Sequence, residues 1–178
     1  QSGEVCAVGF EMYLQLLNTA IERLSNSNWH AAEEVLLELE YSGFIPDSYI
    51  DDAQTKMELY KKIASIDTYG KLDSLYTELE DRFGPVPEEV QSLLSLSKIR
   101  IICNKLSIAS LKEKKGVAMV EFSKVAEISM DKLLKLIRTN SDRIRLDPAK
   151  PNFLILKTGS IDLKSKAEFI QEKLEMLV

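Results

Sequence analysis

Apolar residues recur every three or four positions along parts of this chain and every second position along others, and the changes of period mark its elements. Phe10, Leu14, Leu17, Ile21 and Leu24 fall on one stripe, which predicts a helix over residues 8–24 that Ser25-Asn26-Ser27-Asn28 ends. The stretch from Trp29 to Glu34 fits helix or strand equally. Val35, Leu37, Leu39 and Tyr41 alternate with Glu38, Glu40 and Ser42, the pattern of a half-buried strand. Ser42-Gly43-Phe44-Ile45-Pro46 breaks it and is the expected domain boundary, dividing residues 1–45 from 46–178.

Three helices are expected next, near residues 51–66, 71–83 and 87–106. In the second, Leu72, Leu75, Tyr76, Leu79 and Phe83 form the buried stripe. Gly84 stands where a left-handed terminal residue is needed, and Pro85 blocks continuation. Pro87, Glu88 and Glu89 read as the first turn of the third helix, their charges matched to its dipole. That helix is apolar on most sides (Val90, Leu93, Leu94, Ile101, Ile102, Leu106) and is expected to be central. Glu78 and Asp81 lie one turn apart outside the Leu72–Phe83 stripe, which makes them a surface feature.

After the third helix the period shortens to two. Ile108–Leu111 and Val117–Phe122 flank Lys112-Glu113-Lys114-Lys115-Gly116 and predict a hairpin. A short helix over Asp131–Arg138, capped near Ser129 or Met130, precedes a second hairpin, Ile144–Leu146 with Phe153–Leu156 around Asp147-Pro148-Ala149-Lys150-Pro151. A last helix, about Asp162–Leu177, carries Leu163, Ala167, Ile170, Leu174 and Leu177. A helical cluster followed by two β-hairpins alternating with helices is an α+β fold with segregated layers.

At 178 residues, 45% hydrophobic and 29% charged, the chain can bury one substantial core, or a domain with a short appendage. It begins at Gln1 without an initiator methionine, so a piece of a longer polypeptide is expected. No apolar run is long enough to span a membrane and no secretory leader is visible. Cys6 and Cys103 have neither metal nor redox spacing and read as reduced thiols, consistent with a cytoplasmic protein.

Charge is uneven. Residues 1–60 hold two basic and eleven acidic residues, and the remainder 21 basic and 17 acidic. With a net charge of −5, this polarity suits protein–protein contact better than a surface that tracks DNA.

The chemistry on offer is sparse. The seven glycines form no phosphate-cradling loop, so no nucleotide cofactor is expected on this chain. His30 is the only histidine, which argues against a histidine-based triad or a transition-metal site. Asp47, Asp51 and Asp52 surround Tyr49 at a helix entrance, where Asp51 or Asp52 would cap. Lys112, Lys114 and Lys115 could touch phosphate, although a lysine-rich hairpin tip is more often a solvated turn. Glu78 and Asp81 sit on an outward face with no pocket motif, which argues against paired-carboxylate catalysis. Glu78 is spaced to pair with Arg82 at i, i+4.

Several motifs together resemble a known family. Glu78-Leu79-Glu80-Asp81-Arg82-Phe83-Gly84-Pro85-Val86-Pro87, Ile45-Pro46-Asp47-Ser48-Tyr49-Ile50-Asp51-Asp52 and Leu59-Tyr60-Lys61-Lys62-Ile63-Ala64 are similar to the C-terminal domain of the bacterial transcription-repair coupling factors. Gln1-Ser2-Gly3 and Val8-Gly9-Phe10-Glu11-Met12-Tyr13 resemble the stretch closing that family's motor region. The resemblance weakens after Gly116. It implies a non-catalytic regulatory module, residues 46–178, following the tail of a translocase, residues 1–45. ATP and magnesium would bind elsewhere in the longer protein.

In that family the acidic helix end, here Glu78 and Asp81, resembles part of a surface that docks on the protein's own UvrB-like N-terminal module. Docking of this kind masks UvrA recruitment and restrains the motor until stalled RNA polymerase and DNA release it. The resemblance therefore implies an intramolecular partner, indirect links to UvrA and RNA polymerase, DNA contact through the motor, and a monomeric piece. Arg82 and Lys56 are secondary candidates; Lys56 replaces an arginine usual in the family, and lysine cannot reproduce a bidentate carboxylate contact. The competing reading is an accessory domain that touches DNA or RNA polymerase during translocation, supported by the basic balance after residue 60.

Overall fold

The computed structural model describes residues 35–40 and 42–178. The expected helix over 8–24, the stretch 29–34, Tyr41, Cys6 and His30 lie outside them. The described residues pack as two units, one of residues 42–98 and one of residues 35–40 with 99–178.

The first unit holds α1 (Ala53–Ser65), α2 (Tyr69–Phe83) and the first part of α3 (Glu88–Lys105). Each of the first two helices begins where a side chain satisfies a free amide. Asp52 accepts from Thr55 N at 2.9 Å and Thr68 from Lys71 N at 3.3 Å. The predicted stripe of α2 is buried at Leu72, Leu75 and Leu79, with Tyr76 and Phe83 half-buried. Leu59 and Ile63 of α1 and Val90, Leu93 and Leu94 of α3 are also buried, as are Ile45 and Ile50 from the entering loop. Gly43 lies against the α3 backbone, where an added Cβ would sit 2.2 Å from Leu93 N, and Phe44 N donates to Glu89 O at 3.2 Å. The expected boundary segment is thus packed chain within this unit.

The second unit is a mixed five-stranded sheet, order β1-β2-β3-β5-β4, with helices against one face. Its strands are β1 (Leu36–Glu38), β2 (Ile108–Lys114), β3 (Val117–Phe122), β4 (Ile144–Leu146) and β5 (Phe153–Lys157). Both expected hairpins form, and the β3–β5 antiparallel pairing merges them into one sheet. The first hairpin is longer than the sequence suggests. Its turn is only Lys115-Gly116, both with positive φ as a two-residue type I′ turn requires, so Lys112–Lys114 belong to β2. β1 adds in parallel to β2, bringing residues upstream of the expected 45/46 division into this sheet.

α4 (Met130–Thr139) starts at the Ser129 cap, and α5 (Leu163–Glu175) at Asp162, which accepts from Ser165 N at 3.0 Å. The inner sheet residues Leu111, Ala118, Val120, Leu154 and Leu156 share a core with Ile99 and Ile102 of α3, Leu133 and Leu136 of α4, and Ala167, Ile170 and Leu174 of α5. Leu163, expected on the α5 stripe, is 60% exposed, because the buried series starts at Lys166 and Ala167 instead.

Candidate docking surface

The acidic end of α2 is held by residues far from it in sequence. Gly84 terminates the helix at φ +86°, with its N–H donating to Glu80 O at 3.0 Å. A residue with a Cβ is strained in that conformation. The Tyr49 hydroxyl lies 3.0 Å from both the Leu79 carbonyl oxygen in the last turn and the Gly84 carbonyl oxygen, which lies past the end of the helical ladder. Its ring meets Phe83 edge-on at 5.8 Å, and Arg82 lies over the other aromatic, 4.8 Å from the Phe83 centroid. Burial, followed by the nearby Glu80 charge, pushes the Tyr49 phenol upward, so it stays a donor. Tyr49 belongs to a motif that the sequence singles out, yet its role as a clasp was not read there. The only signal is an aromatic residue in a polar loop just before a helix cap.

The two candidate carboxylates are in different states. Glu78 Oε1 accepts from Arg82 at 3.1 Å, the expected i, i+4 pair, and Oε2 accepts from Lys62 of α1. The Lys62 hydrogen bond, aided by Arg82, holds the Glu78 carboxyl below its ordinary range. Its side chain is 34% exposed. Asp81 is exposed and makes no ion pair among the described residues, and Glu80 beside it is exposed as well. Glu78 therefore ties α1 to α2, while Asp81 offers an uncommitted charge.

Lys56 does hold a carboxylate, as a point charge. Its ammonium pairs with Asp47 in the loop before α1, not with Glu78 or Asp81, and its side chain is only 14% exposed. Asp52 is the cap and Asp51 is exposed. The Lys115 and Gly116 amides are capped by Glu40, at 2.7 and 3.3 Å.

A buried ion pair escaped the sequence reading. Glu113, flanked by lysines, faces inward from β2, accepting from Lys166 at 2.8 Å, Thr158 at 2.6 Å and Glu40 N at 2.9 Å. Burial opposes its ionisation, but these bonds outweigh it and the carboxyl is held below its usual range. Burial pushes the Cys103 thiol up, away from reactivity. Among the described residues no cluster of histidine, cysteine or carboxylate could hold a metal, and no helix is long and apolar enough to cross a membrane.

Comparison with known proteins gives one consistent answer. The TRCF domain pattern matches residues 39–133. The transcription-repair-coupling factor of Borreliella burgdorferi is 33% identical over 177 residues, covering 99% of this chain and 16% of that protein. The Escherichia coli protein of the same name is 30% identical over 160 residues, 86% of this chain and 14% of its own length. The chain thus spans about a sixth of these relatives. The crystal structure of a C-terminal domain of transcription-repair coupling factor superposes with a TM-score of 0.68 at 24% identity, covering 81% of this chain and 94% of that one, a likeness of fold. This chain belongs to the transcription-repair coupling factor family, and its fold is that of the family's C-terminal domain.

Proposed function

We propose that this domain is a non-catalytic, autoinhibitory module that docks through the end of α2 on the UvrB-like N-terminal module of its own longer protein. The observation that carries the reading is the exposed Asp81, without an ion pair among the described residues, on a helix end that Tyr49 and the Lys62–Glu78–Arg82 cluster support. A carboxylate on a pre-positioned helix end loses little freedom on pairing with arginines of a partner, so its charge contributes to contact strength. Docking would mask the surface that recruits UvrA and restrain an ATP-driven motor. ATP, magnesium and DNA would be handled by the rest of the protein.

The mechanism is a difference between two states, since contacts made only when the module is docked set the closed-to-open ratio. A clamp worth about 3 kcal/mol would keep the open form below roughly one per cent until RNA polymerase and DNA compete for it. The test is the Glu78→Lys/Asp81→Lys double variant of the full-length protein. It should hydrolyse ATP faster and bind UvrA without a stalled polymerase. Unchanged ATPase and UvrA binding in a variant that still folds cooperatively would leave these carboxylates as a solvated face.

A further inference from the structure

The second unit has a face that the docking reading does not use. Strand register places Lys112, Met119, Ile155 and Arg145 in one row across β2, β3, β5 and β4, and Lys114, Val117 and Lys157 in the next. These residues alternate with the inward-facing core residues, so they lie on the sheet side opposite the helices. None of them belongs to the main core cluster; Val117 is 37% exposed and Met119 partly so, while Ile155 between the flanking cations is buried at 8%. Lys150 joins them at the β4–β5 turn, its ammonium 5.1 Å from the Phe153 centroid.

Lys112, Lys114, Arg145, Lys150 and Lys157 are all exposed, and none has an ion pair among the described residues. Two carboxylates share the face. Glu121 is bonded to Ser110 at 3.0 Å, and Glu38 stands opposite Lys112 on the edge strand. Residues 99–178 hold 16 basic and 10 acidic residues, against an overall balance of −5. Basic charge is therefore gathered in this unit, and on this face it has no ion-pair partner among the described residues.

We propose that this outer sheet face binds the phosphate backbone of a nucleic-acid strand. Four of the five cations are lysines, a residue depleted in the centres of protein interfaces but suited to phosphate as a point charge. Neighbouring strands stand about 4.8 Å apart and alternate residues about 6.8 Å apart along a strand, so the cations form a grid that an extended polyanion can follow. Met119, Val117 and the Phe153 ring give bases an apolar floor between the cations, which favours a single strand over a duplex. This surface is independent of the α2 docking reading, and either can fail alone.

The test is fluorescence anisotropy of the 178-residue chain with a single strand of roughly 15 deoxythymidines, a duplex of equal length, and polyglutamate as an acidic polypeptide. With five phosphates neutralised, affinity for the single strand should fall about a hundredfold between roughly 50 and 200 mM salt, a log–log slope near −3.5. Lys112→Ala/Lys157→Ala should bring the slope to about −2, while Lys135→Ala/Arg138→Ala, which removes equal charge from exposed positions of α4, should leave it unchanged. Tighter binding of the duplex would keep the surface and change its source. No binding at the lower salt, equal losses in both double variants, or stronger binding to polyglutamate would overturn the proposal.

Discussion

Lys62 on α1 donates to Glu78 on α2, so a carboxylate that local spacing assigns to Arg82 alone in fact joins two helices. The tie makes the helix pair one supporting piece for the neighbouring Asp81. It also separates the two acidic residues experimentally. Glu78→Lys should lower stability by about 1 kcal/mol, since it loses two partly exposed ion pairs and faces two cations. Asp81→Lys should change stability by less than about 0.5 kcal/mol. Thermal melts of both variants check this difference, and equal losses would contradict it.

Tyr49→Phe removes one hydroxyl and no charge. The Leu79 and Gly84 carbonyls would lose their shared donor, at an expected cost of about 1–2 kcal/mol by denaturant titration. If the clasp positions the acidic end, the same variant should also weaken docking on the N-terminal module while leaving the salt dependence of docking intact.

Glu113 sets a pH dependence for the sheet unit. Its carboxyl is lowered in the folded state, so its contribution is fully present above the ordinary carboxylate range, near about 4.3, and is lost as pH falls through the folded value. Lys166→Met would leave the buried carboxylate without its cation and should cost roughly 3–5 kcal/mol at neutral pH. Melts at successively lower pH should show the variant's deficit shrinking in acid, as the carboxyl is protonated in the wild type as well.

A chain beginning at Pro46 would lack β1 and the Glu40 carboxylate that caps the hairpin turn. It should still unfold cooperatively, because the fully buried core of the described residues lies downstream apart from Ile45, but at a lower midpoint than the full chain. Calorimetry of the two chains measures the difference; an unchanged midpoint would make the parallel strand dispensable.

These cases also show where the sequence was legible. Helices and hairpins followed from period, and the Gly84 stop and the Asp52 and Ser129 caps, each one of two candidates, from residue chemistry, because each is decided within a few residues. The long-range ties were not legible. Lys62–Glu78 spans 16 residues between helices, and the β3–β5 pairing and parallel β1 depend on how separate hairpins meet. Glu113 read as part of a charged turn because its inward orientation follows from a turn only two residues long. At the candidate surface, Glu78 and Asp81 were found by their position off the apolar stripe, whereas the clasp that fixes them was hidden in the loop at Tyr49.

The central claim is tested most directly by titrating this chain against the N-terminal module of its longer protein, as wild type and as Asp81→Lys. Binding should be saturable and weaken with salt, and charge reversal should cost about 2 kcal/mol or more, roughly thirtyfold in affinity. Equal affinity of the two forms, or no binding of the wild type at low salt, would contradict the claim.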